Sequence, residues 1–314
     1  MSANNVLVTG ANGFVGQALV RSLVSSWEGQ INVACRHKVE FPKGVNRFIT
    51  DFTKSDQSLV AALEGVDTVV HLAARAHLLK DDAIDPLLCF REVNVETTLR
   101  LAKLAVKAGM KRFVFISSIG VYGGSSAAAF NEQTSFNPHT DYAVSKLEAE
   151  QQLMQLAKKL NFELVIIRPV LVYGAYAPGN FGKLVKLVSK MPVLPFGLVG
   201  NRRSFISVDR LAEFICLCAQ HPNAANQDFV IADNPSISTQ ILINNIAEAL
   251  GKKVIQLPIP VFLMKLIAKS LGRGNMAEQL FGDLEVDVTK ANRLLGWESK
   301  YPINNGLIGL KGNE

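Results

Sequence analysis

The amino-acid sequence predicts an α/β protein with a doubly wound parallel sheet and a smaller C-terminal lobe. Three observations support this fold class: short apolar runs alternate with stretches of helical period, a glycine-rich turn follows the first apolar run, and the alternation degrades after residue 170. We therefore expect residues 1–170 to form the sheet domain and residues 171–314 to form mainly the smaller lobe. A chain of 314 residues can bury the core of one domain with an appendage or of two closely packed lobes.

Apolar runs bounded by turn residues predict the strands of the first domain. They lack a regular polar face, as expected for strands in a parallel sheet that is covered on both sides. The predicted strands are NVLVTG at 5–10, INVACR at 31–36, VNRFITD at 45–51, DTVVHLAA at 67–74, RFVFISS at 112–118 and ELVIIRPV at 163–170.

Stretches of helical period separate these strands. They are GQALVRSLVSSW, SLVAALEG, VETTLRLAKLAVKAG and YAVSKLEAEQQLMQLAKKL. Strands that alternate with helices imply parallel pairing with helical crossovers. In the smaller lobe we expect helices near 181–190, 208–220, 238–250 and 260–271, and a strand, DFVIAD, at 228–233.

Composition and charge narrow the classes of function. The net charge of +6 is spread along the chain, which favours an anionic small-molecule ligand and predicts no nucleic-acid surface. No stretch reaches the roughly 18 apolar residues of a membrane span, and IPVFLMKLIAKSLG is interrupted by Lys265 and Lys269, so we expect an amphipathic helix without membrane insertion. A strand pattern begins almost directly after Met1, which leaves no room for a signal peptide and indicates a cytoplasmic protein.

The stretch TGANGFVG carries Gly10, Gly13 and Gly16 between the first strand and the first helix. Glycine allows a tight turn and lets a ligand approach the backbone closely. The helix that follows points its first amide groups and the positive end of its dipole toward the carboxyl end of the strand. The turn therefore predicts a pyrophosphate site of a dinucleotide-binding (Rossmann) sheet, although G-x-x-G-x-x-G departs by one residue from the common G-x-G-x-x-G spacing.

The ends of the next two strands bear on the choice of cofactor. An NAD site usually has Asp or Glu about 20 residues after the glycines, where it meets the ribose 2′-hydroxyl. Arg36 stands at that place, and a guanidinium suits a 2′-phosphate, so NADP(H) is favoured and NAD(H) stays open; the alternative for Arg36 is a solvated strand end. Asp51 closes the third strand, with two roles open, contact with the adenine edge or capping of the next helix.

Ser118, Tyr142 and Lys146 are the candidate catalytic residues. Tyr142 and Lys146 are four residues apart, on one face of a predicted helix. A phenol, whose pKa is ordinarily about 10, is a weak base at neutral pH, but a nearby ammonium favours its ionised form. Ser118 stands at the carboxyl end of the fifth strand, where its hydroxyl can hold a substrate oxygen that gains charge during hydride transfer.

A set of short motifs extends over essentially the whole chain: TGANGFVG, HLAA at 71–74, VNVETT, SSIGVYG, YAVSK, RPVLVYG at 168–174, RRSFISVDRLA at 202–212 and LLGW at 294–297. In this order they resemble the extended short-chain dehydrogenase/reductases, and specifically the NAD-dependent epimerase/dehydratase family that acts on nucleotide sugars. The resemblance implies a catalytic triad of Ser118, Tyr142 and Lys146. It also implies a homodimer, because dimers are common in the family.

The resemblance carries further roles over by position. It implies cofactor contacts at Gly10, Gly13, Phe14, Val15, Gly16, Arg36, Asp51, Phe52, Leu72, Ala73, Ala74, Asn94, Tyr142 and Lys146. Substrate contacts are expected at His77, Ser118, Tyr142, Asn180 and Arg203. For Arg203 the alternative is a surface cation. His71 is expected in the core, and neither it nor His77 has an acidic pair at ligand spacing, so we expect no metal.

Departures from the family's patterns reduce the number of reactions that this chain is expected to catalyse. Members that eliminate water across carbons 5 and 6 carry Asp and Glu directly after the catalytic hydroxyl residue, and members that epimerise carbons 3 and 5 carry a cysteine at the second of these positions. Here the two positions hold Ile119 and Gly120, which leaves hydride transfer at one carbon with a single proton shuttle. Leu171 stands where several 4-epimerases have an asparagine.

The sequence therefore favours reduction of the carbon-4 ketone of a UDP-linked 4-keto-6-deoxy-N-acetylhexosamine, with Tyr142 as the proton donor. The stretch LPFGLVGNRRSFISVDRLAEF resembles reductases that form UDP-N-acetylquinovosamine or UDP-N-acetylfucosamine. The alternative is a UDP-hexose 4-epimerase, for UDP-glucose or UDP-N-acetylglucosamine, that retains its NAD. A third hypothesis, a cofactor-sensing or scaffold protein, conflicts with the intact Ser118, Tyr142 and Lys146.

Overall fold

A computed structural model describes residues 4–51, 57–76, 85–270, 272 and 274–312. Its strands are β1 (Val6–Thr9), β2 (Ile31–Cys35), β3 (Val45–Ile49), β4 (Thr68–His71), β5 (Arg112–Ile116), β6 (Glu163–Pro169), β7 (Leu171–Tyr173), β8 (Val193–Leu194), β9 (Arg203–Ser207), β10 (Asp228–Ile231), β11 (Asp233–Ile237) and β12 (Ile255–Gln256). Its α-helices are α1 (Phe14–Ser26), α2 (Gln57–Leu63), α3 (Pro86–Arg91), α4 (Thr97–Lys107), α5 (Asp141–Leu160), α6 (Gly179–Lys190), α7 (Val208–Gln220), α8 (Thr239–Ala249), α9 (Val261–Ser270), α10 (Gly274–Phe281) and α11 (Thr289–Leu295). A π-helical turn covers Glu92–Glu96, and 3₁₀ turns cover Ile119–Tyr122, Pro222–Ala224, Ile303–Leu307 and Leu310–Gly312.

Within the described residues, seven strands pair in parallel in the order β10-β6-β5-β4-β1-β2-β3. This arrangement confirms the predicted doubly wound parallel sheet. Thr9 at the end of β1 lies opposite His71 at the end of β4, and His71 lies opposite Phe115 in β5. The segments that leave these strands therefore emerge at one edge of the sheet.

The central sheet is buried on both faces, which explains why its strands are apolar without a regular polar face. Val6 and Val8 of β1 join one apolar cluster with α1, α7 and α11, whereas Leu7 joins a second cluster with α2, α4 and α5. Successive residues of a strand point to opposite faces, so a strand covered on both sides is mostly apolar, whereas the edge strand β3 is partly exposed.

The smaller lobe is built around a third apolar cluster, which includes Phe181 of α6, Phe205 of β9, Ile243 of α8 and Met264 of α9. In this lobe β9 pairs in parallel with β7 and antiparallel with β11. A further pair joins β8 and β12 in parallel. The helices expected near 181–190, 208–220, 238–250 and 260–271 correspond to α6, α7, α8 and α9.

The strand expected in the smaller lobe at 228–233 belongs elsewhere. Its residues Asp228–Ile231 form β10, which pairs with β6 and completes the central sheet. Helix α7 likewise packs with α1 in the apolar cluster on one face of that sheet. A chain division at residue 170 therefore does not separate the sheet from the lobe, because the chain returns to the sheet after β9.

The segment before α4 contains structure that the sequence analysis did not predict. Helix α3 begins after Asp85, whose carboxylate accepts a hydrogen bond from the Leu88 amide at 3.0 Å, and Pro86 occupies its first turn. An acidic residue followed by proline is a helix-start signal that was present in the sequence. The π-helical turn Glu92–Glu96 then joins α3 to α4.

Candidate active site

The loop between β1 and α1 runs so close to neighbouring backbone that two of its glycines leave no space for a side chain. A Cβ on Gly10 would lie 2.7 Å from the backbone nitrogen of Ala73, and Gly10 has φ +69°, a conformation that favours glycine. A Cβ on Gly16 would lie 2.2 Å from the carbonyl oxygen of Gly10. The Gly13 amide donates to that carbonyl at 3.0 Å. The first turn of α1 is therefore held against the strand ends.

The start of α1 is suited to an anion. Gly13 is the N-cap residue and contributes no side-chain hydrogen bond, and the first turn of α1 contains no acidic residue. Phe14 and Val15 place their half-buried side chains against the core, so their contribution at the loop is their backbone. Amides of a first helical turn have no acceptor within the helix. This donor set fits the pyrophosphate of a dinucleotide.

Helix α5 places Tyr142 and Lys146 on one face. The Thr140 hydroxyl caps the helix by accepting a hydrogen bond from the Ala143 amide at 3.2 Å, so Tyr142 lies in the first turn. Lys146, one turn further on, is 2% exposed, and its Nζ lies 4.1 Å from the ring centroid of Phe115. The amine is thereby packed against the central sheet.

Ser118 begins the 3₁₀ turn that follows β5, and its hydroxyl accepts a hydrogen bond from the Gly120 amide at 3.1 Å. A Cβ on Gly120 would lie 3.3 Å from the Ser118 hydroxyl oxygen and 3.5 Å from the Cβ of Ala143. Gly120 therefore lies between Ser118 and the first turn of α5. The structure brings the three predicted catalytic residues to one region of the sheet edge.

In the protein without a bound cofactor, burial shifts the pKa values of the Tyr142 phenol and the Lys146 amine. It raises the pKa of Tyr142 to about 12. It lowers the pKa of Lys146 to about 7, against the opposing effect of the Glu150 carboxylate. Loss of hydration is the cause of the raised pKa of Tyr142. The expected effect of the Lys146 ammonium on the phenol stays a prediction.

His71 is a core residue, as expected, and is 1% exposed. Its Nε2 lies 2.9 Å from the Thr98 hydroxyl, which donates its own hydrogen to the Asn94 carbonyl at 2.8 Å. Nε2 is therefore the donor, and Nδ1 accepts from the Thr9 hydroxyl at 2.7 Å. Burial and the Lys146 charge lower the pKa of His71 to about 3. A neutral imidazole thus links β1 and β4 to α4.

Asn94 is buried and supports the catalytic helix. Its Oδ1 accepts from the Arg75 amide at 2.8 Å, and its Nδ2 donates to the Arg75 carbonyl at 3.1 Å and to the Ser145 hydroxyl at 3.0 Å. Ser145 in turn donates to the Tyr142 carbonyl at 2.8 Å. The Asn94 side chain therefore ties the segment after β4 to the first turn of α5, and its direct contact with the cofactor stays a prediction.

A fully buried ion pair joins α5 to β6 behind Lys146. Arg168 and Glu150 are 1% and 0% exposed, and Nη2 lies 2.7 Å from Oε2. Arg168 also donates to the Tyr122 hydroxyl at 2.6 Å and to the Asp228 carboxylate at 2.7 Å. Glu150 stands one turn after Lys146 on the same helix. Its negative charge favours the charged form of the Lys146 amine.

The other expected cofactor residues lie at the ends of the strands. Arg36 is exposed just after β2, and Asp51 is half-buried beyond β3. Residues 72–74 follow β4 and are half-buried, and the Leu72 amide donates to the Thr9 carbonyl at 3.2 Å. The predictions for Phe52 and His77 lie outside the described residues.

The two expected substrate residues of the lobe differ in burial. Asn180 is exposed in the first turn of α6. Arg203 is 8% exposed in β9, and its Nη1 donates to the Gly282 carbonyl at 2.8 Å. Burial lowers the pKa of Arg203 to about 10. The alternative of a surface cation at Arg203 is therefore excluded.

Several residues that surround the candidate catalytic residues were not predicted from the sequence. Phe90 of α3 meets the Tyr142 ring edge-on, with 6.3 Å between ring centroids. Phe115 supports the Lys146 amine, and the pair of Glu150 and Arg168 lies behind it. The helical spacing from Lys146 to Glu150 was a signal in the sequence, whereas the contacts of Phe90, Phe115 and Arg168 depend on tertiary packing.

The described residues place no group of three or more His, Cys, Asp or Glu side chains where they could hold a metal ion. Among the same residues, no helix combines the length and apolar character needed to span a membrane. The parallel sheet, the glycine turn and the serine, tyrosine and lysine at one edge together define an enzyme of the short-chain dehydrogenase/reductase class.

The chain belongs to the NAD dependent epimerase/dehydratase family, whose sequence profile matches residues 6–232. A UDP-glucose 4-epimerase of Vibrio cholerae is 40% identical over 305 residues, which cover 96% of this chain and 93% of the relative. An N-acetyl-alpha-D-glucosaminyl-diphospho-ditrans,octacis-undecaprenol 4-epimerase of Escherichia coli O157:H7 is 28% identical over 323 residues, with coverage of 97% and 93%. The crystal structure of the Thermotoga maritima UDP-glucose 4-epimerase with UDP-glucose has the same fold, with a TM-score of 0.77 at 22% identity and coverage of 98% and 96%.

Removal of the Glu150 charge is expected to move the pH dependence of NAD binding. Glu150→Gln removes the carboxylate that raises the pKa of Lys146, so the amine loses its proton at a lower pH. If Lys146 holds the nicotinamide ribose, as the resemblance implies, a neutral amine would bind it more weakly than an ammonium, which is the stronger hydrogen-bond donor. We therefore expect NAD affinity, titrated from about pH 6 to pH 9, to decline at lower pH in the variant than in the unmodified protein.

Glu148→Gln is the matched control, because Glu148 lies on the same helix but pairs at 2.6 Å with the exposed Arg91. It should leave the pH profile unchanged, since an exposed ion pair contributes about 1 kcal/mol or less. Thermal unfolding checks that each variant is folded. Superimposable pH profiles for folded Glu150→Gln and the unmodified protein would contradict the role of Glu150.

Proposed function

We propose that this protein is a 4-epimerase of UDP-linked hexoses that works with NAD as its retained cofactor. The observation that carries the proposal is the 40% identity, over 96% of this chain, to the UDP-glucose 4-epimerase of Vibrio cholerae. The site agrees with this chemistry, because one hydroxyl, one phenol and one amine suffice for an exchange at a single carbon.

The proposed roles of the site residues follow from their chemistry. NAD, when bound, would supply reversible hydride transfer at carbon 4 of the sugar. Tyr142 takes the proton of the 4-hydroxyl and later returns it to the 4-keto oxygen. The Ser118 hydroxyl donates a hydrogen bond to that oxygen as its charge changes. The Lys146 ammonium holds the nicotinamide ribose and favours the ionised phenol when both partners are in place.

Two positions argue against elimination of water as the reaction. Ile119 is 7% exposed and belongs to the main apolar cluster, so it supplies no acid or base. Gly120 fits closely between Ser118 and Ala143, which leaves little room for a longer side chain at that position. Elimination needs an acid and a base beyond the tyrosine. Chemistry confined to carbon 4 therefore remains the best-supported reaction.

The carbon-4 ketoreductase favoured by the sequence would use the same three side chains. The two reactions differ in the fate of the cofactor, because an epimerase regenerates it within each cycle and a reductase consumes it. The relationship to the Vibrio cholerae enzyme favours the epimerase. The homodimer and the cytoplasmic location expected from the sequence stay predictions.

The two epimerase relatives share a chemical feature that bears on the substrate. Their names describe UDP-glucose in one case and a sugar on diphospho-undecaprenol in the other, and in both a sugar is joined to a diphosphate. We propose that Arg203, a buried guanidinium in β9, binds this diphosphate, with Asn180 at the first turn of α6. Arg203 and Asn180 would contact the diphosphate only. An experiment must therefore determine whether this diphosphate is joined to uridine or to a lipid.

The test of the function is turnover without added cofactor. The purified protein, given UDP-glucose or UDP-N-acetylglucosamine, should form the corresponding 4-epimer, detected by chromatography of the nucleotide sugars. Denaturation of the protein should release NAD, because a retained cofactor is purified with the enzyme. If the protein instead oxidised added NADPH in the presence of a UDP-4-keto-6-deoxy sugar and epimerised neither hexose, the proposed activity would be wrong and the protein would be a ketoreductase.

Tyr142→Phe should lower turnover by about 10²–10⁴-fold while cofactor binding survives, because the change removes only the proton-transferring hydroxyl. Steady-state kinetics and NAD titration measure the two effects. Tyr301→Phe is the control. Tyr301 belongs to the C-terminal segment, and its ring packs against Arg210 of α7. Near-normal turnover in Tyr142→Phe would remove the phenol from the mechanism.

Arg36→Ala tests which cofactor the end of β2 recognises. If the exposed Arg36 meets a 2′-phosphate, its removal costs about 1.5–3 kcal/mol of binding energy. In that case NADPH should bind roughly 10- to 100-fold more weakly, while the binding of NADH stays nearly unchanged. Lys107→Ala, at an exposed position of α4, controls for the loss of one positive charge. Equal weakening of both cofactors by Arg36→Ala would refute recognition of the 2′-phosphate by Arg36.

A further inference from the structure

Helix α9 of the smaller lobe turns apolar side chains toward solvent. Phe262 is 72% exposed, Leu266 is 62% exposed and Ile267 is 51% exposed. Leu263, at 39%, completes this group. Scattered exposed apolar residues are ordinary, but four on one helix of ten residues form a continuous patch.

The spacing of these residues places them on the outer side of the helix. Phe262 and Leu266 are four residues apart, and so are Leu263 and Ile267, so the two pairs form adjoining rows. The opposite side is anchored by Met264, which is 9% exposed and packs into the apolar cluster of the lobe. The helix is therefore attached by its inner face while its outer face is apolar.

The charges of α9 have one sign. Lys265 and Lys269 are both exposed and lie one turn apart, so their ammonium groups border one side of the apolar rows. The ten residues of the helix, VFLMKLIAKS, include no acidic side chain. An apolar face bordered by lysines is the pattern of a helix that lies in the headgroup region of an anionic bilayer.

We propose that α9 binds the surface of an anionic membrane, with Phe262, Leu263, Leu266 and Ile267 inserted among the lipid chains and Lys265 and Lys269 at the phosphates. The protein would then be attached peripherally, without a membrane-spanning helix. Charge complementarity favours this occupant, because lysine side chains can keep their ammonium groups among the lipid headgroups while the apolar rows are buried.

A second copy of this chain is a poorer partner for the same face. In a two-fold contact of α9 with itself, the lysines of one copy would approach those of the other without acidic partners from the helix. A helix of ten residues is also only about 15 Å long and offers much less than the roughly 800 Å² that each partner of a stable interface buries. A bilayer surface brings no second set of lysines to the contact and needs no interface of that size.

This inference rests on α9 alone and is independent of the proposed epimerase activity. It would bring the lobe that contains Asn180 and Arg203 to the surface of a membrane. A sugar diphosphate attached to a lipid would be accessible there, whereas a UDP-linked sugar would reach the protein from solution. The two questions can therefore be tested separately on the same protein.

Cosedimentation of the full-length protein with vesicles tests the proposal. The vesicles are pure phosphatidylcholine in one series and contain phosphatidylglycerol in the other. We expect binding to the anionic vesicles that weakens as salt is raised, since the lysine contribution is screened. The double variant Phe262→Gln/Leu266→Gln should bind at least tenfold more weakly, and Lys265→Gln/Lys269→Gln should lose most of the preference for the anionic vesicles.

Val60→Gln/Ile241→Gln is the matched control, because these side chains are 56% and 45% exposed on α2 and α8. It should bind vesicles as the unmodified protein does. Absence of vesicle binding, or an equal loss in this control, would overturn the proposal. So would a change from dimer to monomer in Phe262→Gln/Leu266→Gln, measured by sedimentation velocity, without a change in vesicle binding. Turnover of UDP-hexoses in solution, measured on the same variants, reports separately on the proposed function.

Discussion

Parallel pairing of β1, β4 and β5 is the constraint on which the site depends. Because Thr9, His71 and Phe115 lie opposite one another, the segments that leave these strands emerge at the same edge. The glycine turn, residues 72–74 and Ser118 therefore lie at the same edge although they are far apart in the chain. The close approach of Gly10 to Ala73 depends on the same register, and so does the contact of Lys146 with Phe115. A shift of one residue in this pairing would separate the cofactor loop from the catalytic groups.

The catalytic helix is held to the sheet by polar contacts that are themselves buried. Asn94 connects the segment after β4 to Ser145, and Glu150 connects α5 to Arg168 of β6. A buried charge without a partner is costly, and this cost favours the arrangement in which each charge meets its partner. Burial lowers the pKa of Lys146 to about 7, and Glu150 limits that decrease. The same contacts that position the amine thus help to keep it charged, which is the state that the proposed role of Lys146 requires.

The smaller lobe differs from the sheet domain in what its surface offers. Its inner part shares one apolar cluster, which fixes α6, α8, α9 and β9 relative to one another. This cluster holds Phe205 two residues after Arg203, so the buried guanidinium belongs to the rigid part of the lobe. The outer face of α9 is apolar and exposed instead. The lobe therefore combines a fixed polar group suited to a diphosphate with a surface suited to a bilayer.

The sequence by itself determined the sheet and the glycine turn, because apolar runs and glycines that must turn encode them locally. It also singled out Ser118, Tyr142 and Lys146, whose catalytic role stays a prediction. It also determined the helices of the lobe within a few residues of their observed bounds. Only the tertiary structure decided that β10 belongs to the central sheet, that Arg203 is buried and that Glu150 meets Arg168. It also showed that burial raises the pKa of Tyr142 to about 12. These features depend on which distant segments exclude water from one another, and hydration at a given side chain is not encoded in its neighbours along the chain.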